Sequence, residues 1–276
     1  SWMKLSRGVD VREFLDIQAA RQQDDAYFLK LFGDYEYEDS PIEFQYIYDA
    51  PELSVIKDIY KLNQLVDNKE EIKQQIALMK WVKSTLIPDG TCIPSPPIDA
   101  LSIIERTKIS SIKSNCWMHA TVLNEVYLSF GFRSKMARCM PMDLRYDDCH
   151  CIVHVYSTQY GKWIIMDAAY AGYYFDAQGI PMGLPDLRKA LINKERIYIP
   201  GATRESQRHI LNYWTKNIIR FQCYQKSCYG AESTNQDELV MINLNPRLFK
   251  LSNTSSEISG RIVKQIHISN PDVFWK

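Results

Sequence analysis

Residues 113–132 read KSNCWMHATVLNEVYLSFGF, and three segments follow: SKMARCM at 134–140, HCIVHVY at 150–156 and KWIIMDA at 162–168. The first stretch reads as a helix opened by Cys116. Ala120, Leu123, Tyr127 and Phe130 supply an inward face, and Gly131 is a natural C′ residue. The three later segments are short, apolar and bounded by turn formers, as strands are, and the polar turn Ser157–Gly161 joins the last two. A helix followed by consecutive strands joined by tight turns predicts an antiparallel sheet with the helix packed on it.

Working outward from this centre, Leu53, Ile56, Ile59, Tyr60 and Val66 are spaced for one face of an amphipathic helix from Pro51 to Asp67. Asn68 is placed to cap the next helix, with Glu71 three residues on. Ile72, Ile76, Met79 and Leu86 line that helix until Pro88-Asp89-Gly90 stops it. A short helical piece around Leu101–Arg106 comes before the quoted stretch. After it come an aromatic loop at 169–183, a helix near Asp186–Asn193, another over Glu205–Phe221, and strands at 238–244 and 261–268. Residues 11–32 form a charged, helical lead-in. Helices first and strands second predict an α+β fold rather than a doubly wound βαβ sheet. No G-x-G-x-x-G or Walker segment points the other way. The expectation is one domain over 1–276, with its core at about 72–200 and elaborations at both ends.

Composition narrows the function classes. Of 276 residues, 46% are hydrophobic and 24% charged, and 33 Lys+Arg balance 33 Asp+Glu. With the two signs interspersed there is no basic patch, so nucleic acid is not the expected partner. No run of about 18 apolar residues predicts a membrane span. Seven cysteines is an odd number without the spacing of a disulfide scaffold. Together with the lack of a visible signal peptide, this tilts the expected compartment towards the cytoplasm. Oligomeric state is not legible.

Three residues carry chemistry. A cysteine in the first turn of a helix sits where free N–H groups and the helix dipole favour thiolate, the nucleophilic form. The same amides can hold a developing oxyanion. A nucleophile also needs a base, and the base an orienting group. If Tyr156 pairs with Gly161 around a four-residue loop, His150 falls opposite Asp167 on one sheet face, about 5 Å apart at Cβ. A slip of one residue would separate them. Cys116, His150 and Asp167 are therefore the expected nucleophile, base and orienting residue.

Other residues compete for these roles. His154 shares the strand face of His150, but that pairing puts it too far from Asp167, which leaves it a polar residue on a half-exposed strand. Cys149-His150-Cys151-x-x-His154 contains metal-ligating residue types. On a strand, however, 150 and 154 lie about 13 Å apart and 149 and 151 point the other way, so no metal is expected. Cys139, Cys149 and Cys151 read as core thiols, and His119, one turn after Cys116, as a packing or supporting residue. Asp143, Asp147 and Asp148 read as a solvated acidic loop, and Asn253-Thr254-Ser255 as a chance match to a glycosylation triplet. Trp117, beside the nucleophile, is the aromatic residue expected to line a substrate cleft; Trp163 reads as core, and Tyr170, Tyr173 and Tyr174 crowd the sequence neighbourhood of the three residues without an assigned substrate role.

NCWMHATVLNEVYLSFGFRSKMARC, HCIVHVY and KWIIMD resemble the transglutaminase-like superfamily, in which a Cys opens a helix, a G-[IF]-x-[AS]-[RK] turn leads to a strand, and H-x-x-x-E-V-Y precedes W-x-x-x-D. His150 lies 34 residues after Cys116, and Asp167 lies 17 after His150, as that pattern requires. The likeness spans roughly 72–200. Asp148-Cys149-His150, Lys162–Asp167 and Tyr213–Phe221 further resemble a bacterial branch of the superfamily. His154 stands where the family often has Glu, and Ala168 where it usually has Pro.

The resemblance implies a papain-like fold and a Cys-His-Asp thiol enzyme acting on a peptide or protein amide through an acyl-enzyme on Cys116, with no cofactor. Calcium-loop and paired C-x-x-C patterns of the cross-linking and glycanase branches are missing, which favours hydrolysis over cross-linking. The alternative is a binding or structural module that keeps the fold without turnover.

Overall fold

The helix Cys116–Ser129 is buried on every side from Met118 onward, so the single inward face expected from Ala120, Leu123, Tyr127 and Phe130 is too narrow a description. Its polar residues are absorbed internally. Thr121 Oγ1 donates to the Trp117 carbonyl at 3.0 Å, and Asn124 Nδ2 donates to Ser227 Oγ at 2.9 Å. Glu125 accepts from the Ala100 and Gly230 amides at 2.6 and 2.8 Å. With those groups satisfied, helices Pro51–Ile59, Glu71–Thr85 and Ala100–Ser110 can surround it on one side and the sheet on the other. Gly131, at φ 74°, ends it as expected.

The computed structural model describes residues 29–31, 34–38, 41–142, 149–170, 172–233, 239–249, 251–258 and 261–276. Apart from 29–31, the expected lead-in helix lies outside these residues, as do Asp143, Asp147 and Asp148.

Among the described residues, seven strands form one sheet, in the spatial order Thr254–Ile258, Arg261–Ile268, Leu239–Leu244, Arg220–Tyr224, Ser134–Met140, His150–Ser157, Lys162–Met166. The fold is α+β, but the sheet is mixed rather than wholly antiparallel: Arg261–Ile268 runs parallel to Leu239–Leu244. The outer strand Thr254–Ile258 makes a hairpin with Arg261–Ile268 and so reverses the chain before it rejoins the sheet. That outer strand has little apolar alternation to announce it. Arg220–Tyr224 replaces the expected end of the Glu205–Phe221 helix, which stops at Asn217. There Phe221 and Cys223 bury against the sheet core, a stronger demand than helical continuation.

Two other helices differ in detail. The Pro51–Asp67 helix breaks at Lys61, which has φ 53°, into Pro51–Ile59 and Asn63–Val66. Ile59 is left exposed rather than on the buried face. Asn68 has left-handed φ 56° and does not cap; the N-cap is Glu70.

Both faces of the sheet are covered. Ile152 and Ile165 face a core built with helices Leu184–Asn193 and Arg204–Asn217, while Cys151, Val153, Val155, Ile164 and Met166 face the helices that include Cys116–Ser129. Two-sided burial explains why HCIVHVY is nearly continuous in apolar residues. The loop 172–183 closes the outer edge of Lys162–Met166: the Ile165 amide donates to the Met182 carbonyl at 3.0 Å, and Gly183 lies so close that a Cβ would stand 2.5 Å from the Trp163 carbonyl oxygen. At the C-terminal segment, the buried Lys135 Nζ donates to the Phe274 carbonyl at 2.7 Å within rings of Phe44, Trp163 and Phe274. No helix among the described residues is long and apolar enough to cross a membrane.

Candidate active site

Asn115 builds the start of the Cys116 helix. Its side chain accepts from the Met118 amide at 3.0 Å, and its carbonyl takes the His119 amide at 3.1 Å. The amides of Cys116 and Trp117 are the first-turn donors that this cap does not use. Cys116 is half-buried at one end of a cleft of about 920 Å³.

The hairpin register differs from the expected one. Ser157 pairs with Lys162 and Val153 with Met166, so the extension of the ladder puts Ile152, not His150, across from Asp167. The shift is two residues, which preserves parity. His150 and Asp167 are therefore diagonal neighbours on the same face, a separation that two side chains can close. They do: His150 Nε2 lies 2.7 Å from Asp167 Oδ2, with both side chains buried. Nε2 carries the donated proton, because an ionised carboxylate only accepts. Asp167 Oδ1 accepts from the Ala169 and Tyr170 amides, each at 3.0 Å. The carboxylate is thus fixed on both sides before it orients the ring.

Cys116 belongs to the helix on one face of the sheet, and His150 and Asp167 project from the other. They meet because His150 is the first residue of its strand, where the helix N-terminus passes the sheet's end. The Cys116 sulfur lies 3.8 Å from the Cys149 carbonyl oxygen and within hydrogen-bonding interaction of His150. A hydrogen bond from Cys151, joined by the hydrogen bond and charge of His150, outweighs burial and draws the Cys116 pKa down to about 4. Burial alone would lower the His150 pKa, but the charge and hydrogen bond of Asp167, with those of Cys116, push it up to about 10. Between those limits the pair is thiolate and imidazolium.

Tyr213, Trp214 and Tyr170 present edges to the His150 ring at centroid distances of 5.4, 5.2 and 6.2 Å. None of these three contacts follows from the sequence reading. Tyr213 and Trp214 stand on a helix whose periodicity says nothing about which strand it meets. Trp117 lines the cleft, its Nε1 donating to Glu232 Oε1 at 2.6 Å, with the Arg138 guanidinium 4.8 Å over its ring. Arg138, directly opposite Cys151 across the strands, is a further cleft residue that sequence alone does not single out.

The competing residues take other places. His154 is fully buried, not half-exposed: its Nε2 accepts from the Leu184 amide at 2.8 Å and its ring stacks on Trp163. Burial holds it neutral, well below the usual imidazole range. His119 Nδ1 is 2.9 Å from the Asn115 carbonyl, and burial lowers its pKa too. Cys139 and Cys151 are buried, but Cys149 is half-buried on the cleft wall and is not a core thiol. Cys92, Cys116, Cys139, Cys149, Cys151 and Cys223 are free thiols. Among the described residues, no three His, Cys, Asp or Glu side chains gather as a metal site. With His150 on Asp167 and His154 on the Leu184 amide, the two imidazoles of the HCIVHVY segment are committed apart.

No protein-family model matches this chain, and no curated protein does. Solved structures that match include a candidate cysteine protease from Cytophaga hutchinsonii, 15% identical, with a TM-score of 0.34 over 52% of this chain and 46% of that one. The chain thus matches less than half the length of that protein.

Proposed function

We propose that this chain is a thiol enzyme of transglutaminase-like, papain-like type, which transfers an acyl group from a peptide or protein amide to water through an acyl-enzyme on Cys116. The observation that carries the reading is the buried His150–Asp167 contact at 2.7 Å, with the imidazole against a thiol at a helix N-terminus. The Cys116 thiolate attacks the amide carbon, and the carbonyl electron pair moves to oxygen, opposite the Cys116 and Trp117 amides. When the tetrahedral species collapses, the C–N bond breaks and the imidazolium proton passes from His150 to the leaving amine. Water then attacks the thioester and gives its proton to His150; the C–S bond breaks and the thiolate returns. Asp167 holds the ring and favours its charged form throughout. Trp117, stacked under Arg138, forms a wall against which the substrate lies.

The test is the pH dependence of alkylation at each cysteine, read by mass spectrometry in wild type and His150→Ala. Cys116 is expected to react well below pH 8, and the substitution to suppress that reactivity. If Cys116 reacts only near or above pH 8, the thiolate–imidazolium pair does not exist and a non-catalytic binding module becomes the better reading.

A further inference from the structure

Among the described residues that line the cleft, Arg138 alone carries a permanent positive charge, and the proposed hydrolysis does not use it. It stands opposite Cys151 in the ladder, and so on the sheet face that packs against the Cys116 helix. Its guanidinium lies 4.8 Å over the ring of Trp117, the residue next to the nucleophile. No carboxylate among the described residues pairs with it. Glu232 Oε1 accepts from Trp117 Nε1 at 2.6 Å and from the Tyr224 hydroxyl at 2.9 Å. Asp89 Oδ2 is 3.4 Å from Lys113 Nζ, and Glu257 belongs to the outermost strand, with three strands between it and Ser134–Met140. The hydrogen bonding of Arg138 within the described residues is one long contact, Nη1 to Gln222 Oε1 at 3.5 Å.

Holding a guanidinium part-way out of water without an ion partner is unfavourable, and an anion entering the cleft relieves it. Over an aromatic face the N–H donors stay at the edge of the guanidinium, in a fork that matches the two oxygens of a carboxylate. From this juxtaposition we propose that Arg138 is the specificity-determining residue of the cleft, the anchor for a carboxylate that the substrate carries beside its scissile amide. The inference rests on the proposed acyl transfer at Cys116 and narrows its substrate class to peptides with an acidic side chain or a terminal carboxylate at that position. An uncharged substrate would cover the fork without pairing it, so selection works by penalty as well as by attraction. Trp117 and Glu232 are the support: the indole carries the guanidinium, and the carboxylate fixes the indole.

The experiment compares three bromoacetyl probes on the full chain below pH 8, with alkylation of Cys116 read by mass spectrometry. Bromoacetyl-glutamine amide is neutral, bromoacetyl-glutamate α-amide carries a side-chain carboxylate, and bromoacetyl-glutamine free acid carries a terminal one. At least one acidic probe is expected to label Cys116 roughly tenfold faster than the neutral probe. The faster of the two identifies the source of the carboxylate. The His150 imidazolium also attracts anions, so the decisive quantity is how the acidic-to-neutral ratio changes when Arg138 is altered. Arg138→Gln should lower it several-fold, and Arg138→Lys, which keeps the charge without the fork, should fall in between. Taken within each protein, the ratio cancels any change in thiol reactivity common to all probes. Raising the salt concentration should lower the wild-type ratio. A ratio that neither substitution moves overturns the assignment. Equal labelling by all three probes sinks only this inference; no labelling by any of them removes the thiolate, and the proposed function fails with it.

Discussion

Both oxygens of Asp167 are committed, one to His150 Nε2 and the other to two backbone amides, so its charge can be removed with little change of shape. Asp167→Asn is expected to cost roughly 10²–10⁴-fold in kcat/KM on an amide substrate, by analogy with other triads. The sign of the pH effect follows from the two partners. Thiolate forms as pH rises through about 4, and imidazolium is lost as pH rises through about 10, so wild-type activity should hold between those limits. With the Asp167 charge gone, burial of His150 is no longer opposed by it, and the alkaline limb should move down by more than one pH unit. A pH–rate profile of both proteins checks this; an unmoved alkaline limb would mean that Asp167 does not set the charge of the ring. These residues were legible in sequence because parity along a strand survives an error of two in register. The diagonal geometry was not legible, because the turn alone does not say which residue pairs last. His154 shows the same limit: its face is readable, but the amide of Leu184 that covers it, at the start of a helix, comes from 30 positions away.

At the scale of elements, the Cys116 helix depends on Glu125, which accepts two backbone amides from other segments while buried. Burial raises its pKa well above the ordinary carboxyl value. Glu125→Ala would strand the Ala100 and Gly230 amides away from water at about 1–3 kcal/mol each, and leave a void as well. We expect a loss of several kcal/mol in urea denaturation, with Glu125→Gln recovering only part of it, because its one carbonyl oxygen can accept from one amide while its NH2 group faces the other donor. Equal losses in the two variants would show that the hydrogen bonds are not what matters. Periodicity found this helix but assigned it too narrow an apolar stripe, because residues such as Asn124 and Glu125 look solvent-facing until their partners are known. The Arg204–Asn217 helix was found too, but not its end. Phe221 fits a helical spacing and a strand spacing equally well, and only the neighbouring strands decide between them.

Across the whole molecule, Lys135 ties the C-terminal segment Pro271–Phe274 to the middle of the sheet. Burial lowers its pKa from about 10.5 to about 8. A depressed folded pKa means that the unfolded chain binds the proton more readily. This contribution to stability is therefore full above about 10.5 and is lost as pH falls through about 8, a swing of about 3 kcal/mol. Lys135→Met abolishes that swing. The difference in unfolding free energy between wild type and variant should therefore shift in favour of wild type by up to that amount between pH 8 and 10.5; a constant difference would place the ammonium in solvent. Distant ties of this kind, like the parallel return of Arg261–Ile268, leave no local pattern, since each residue's immediate neighbours look ordinary.

The loop laid along Lys162–Met166 has a consequence for how copies of this chain coexist in solution. This outer strand of the His150 hairpin would otherwise offer a row of amides and carbonyls to any passing chain in an extended conformation. The Met182 carbonyl occupies part of that row, and Gly183 fits against Trp163 only because it has no side chain. Whatever loosens the 172–183 loop would therefore do more than disturb the neighbouring Asp167. It would expose a template for intermolecular strand pairing, and the first symptom of damage there would be aggregation rather than a slower reaction.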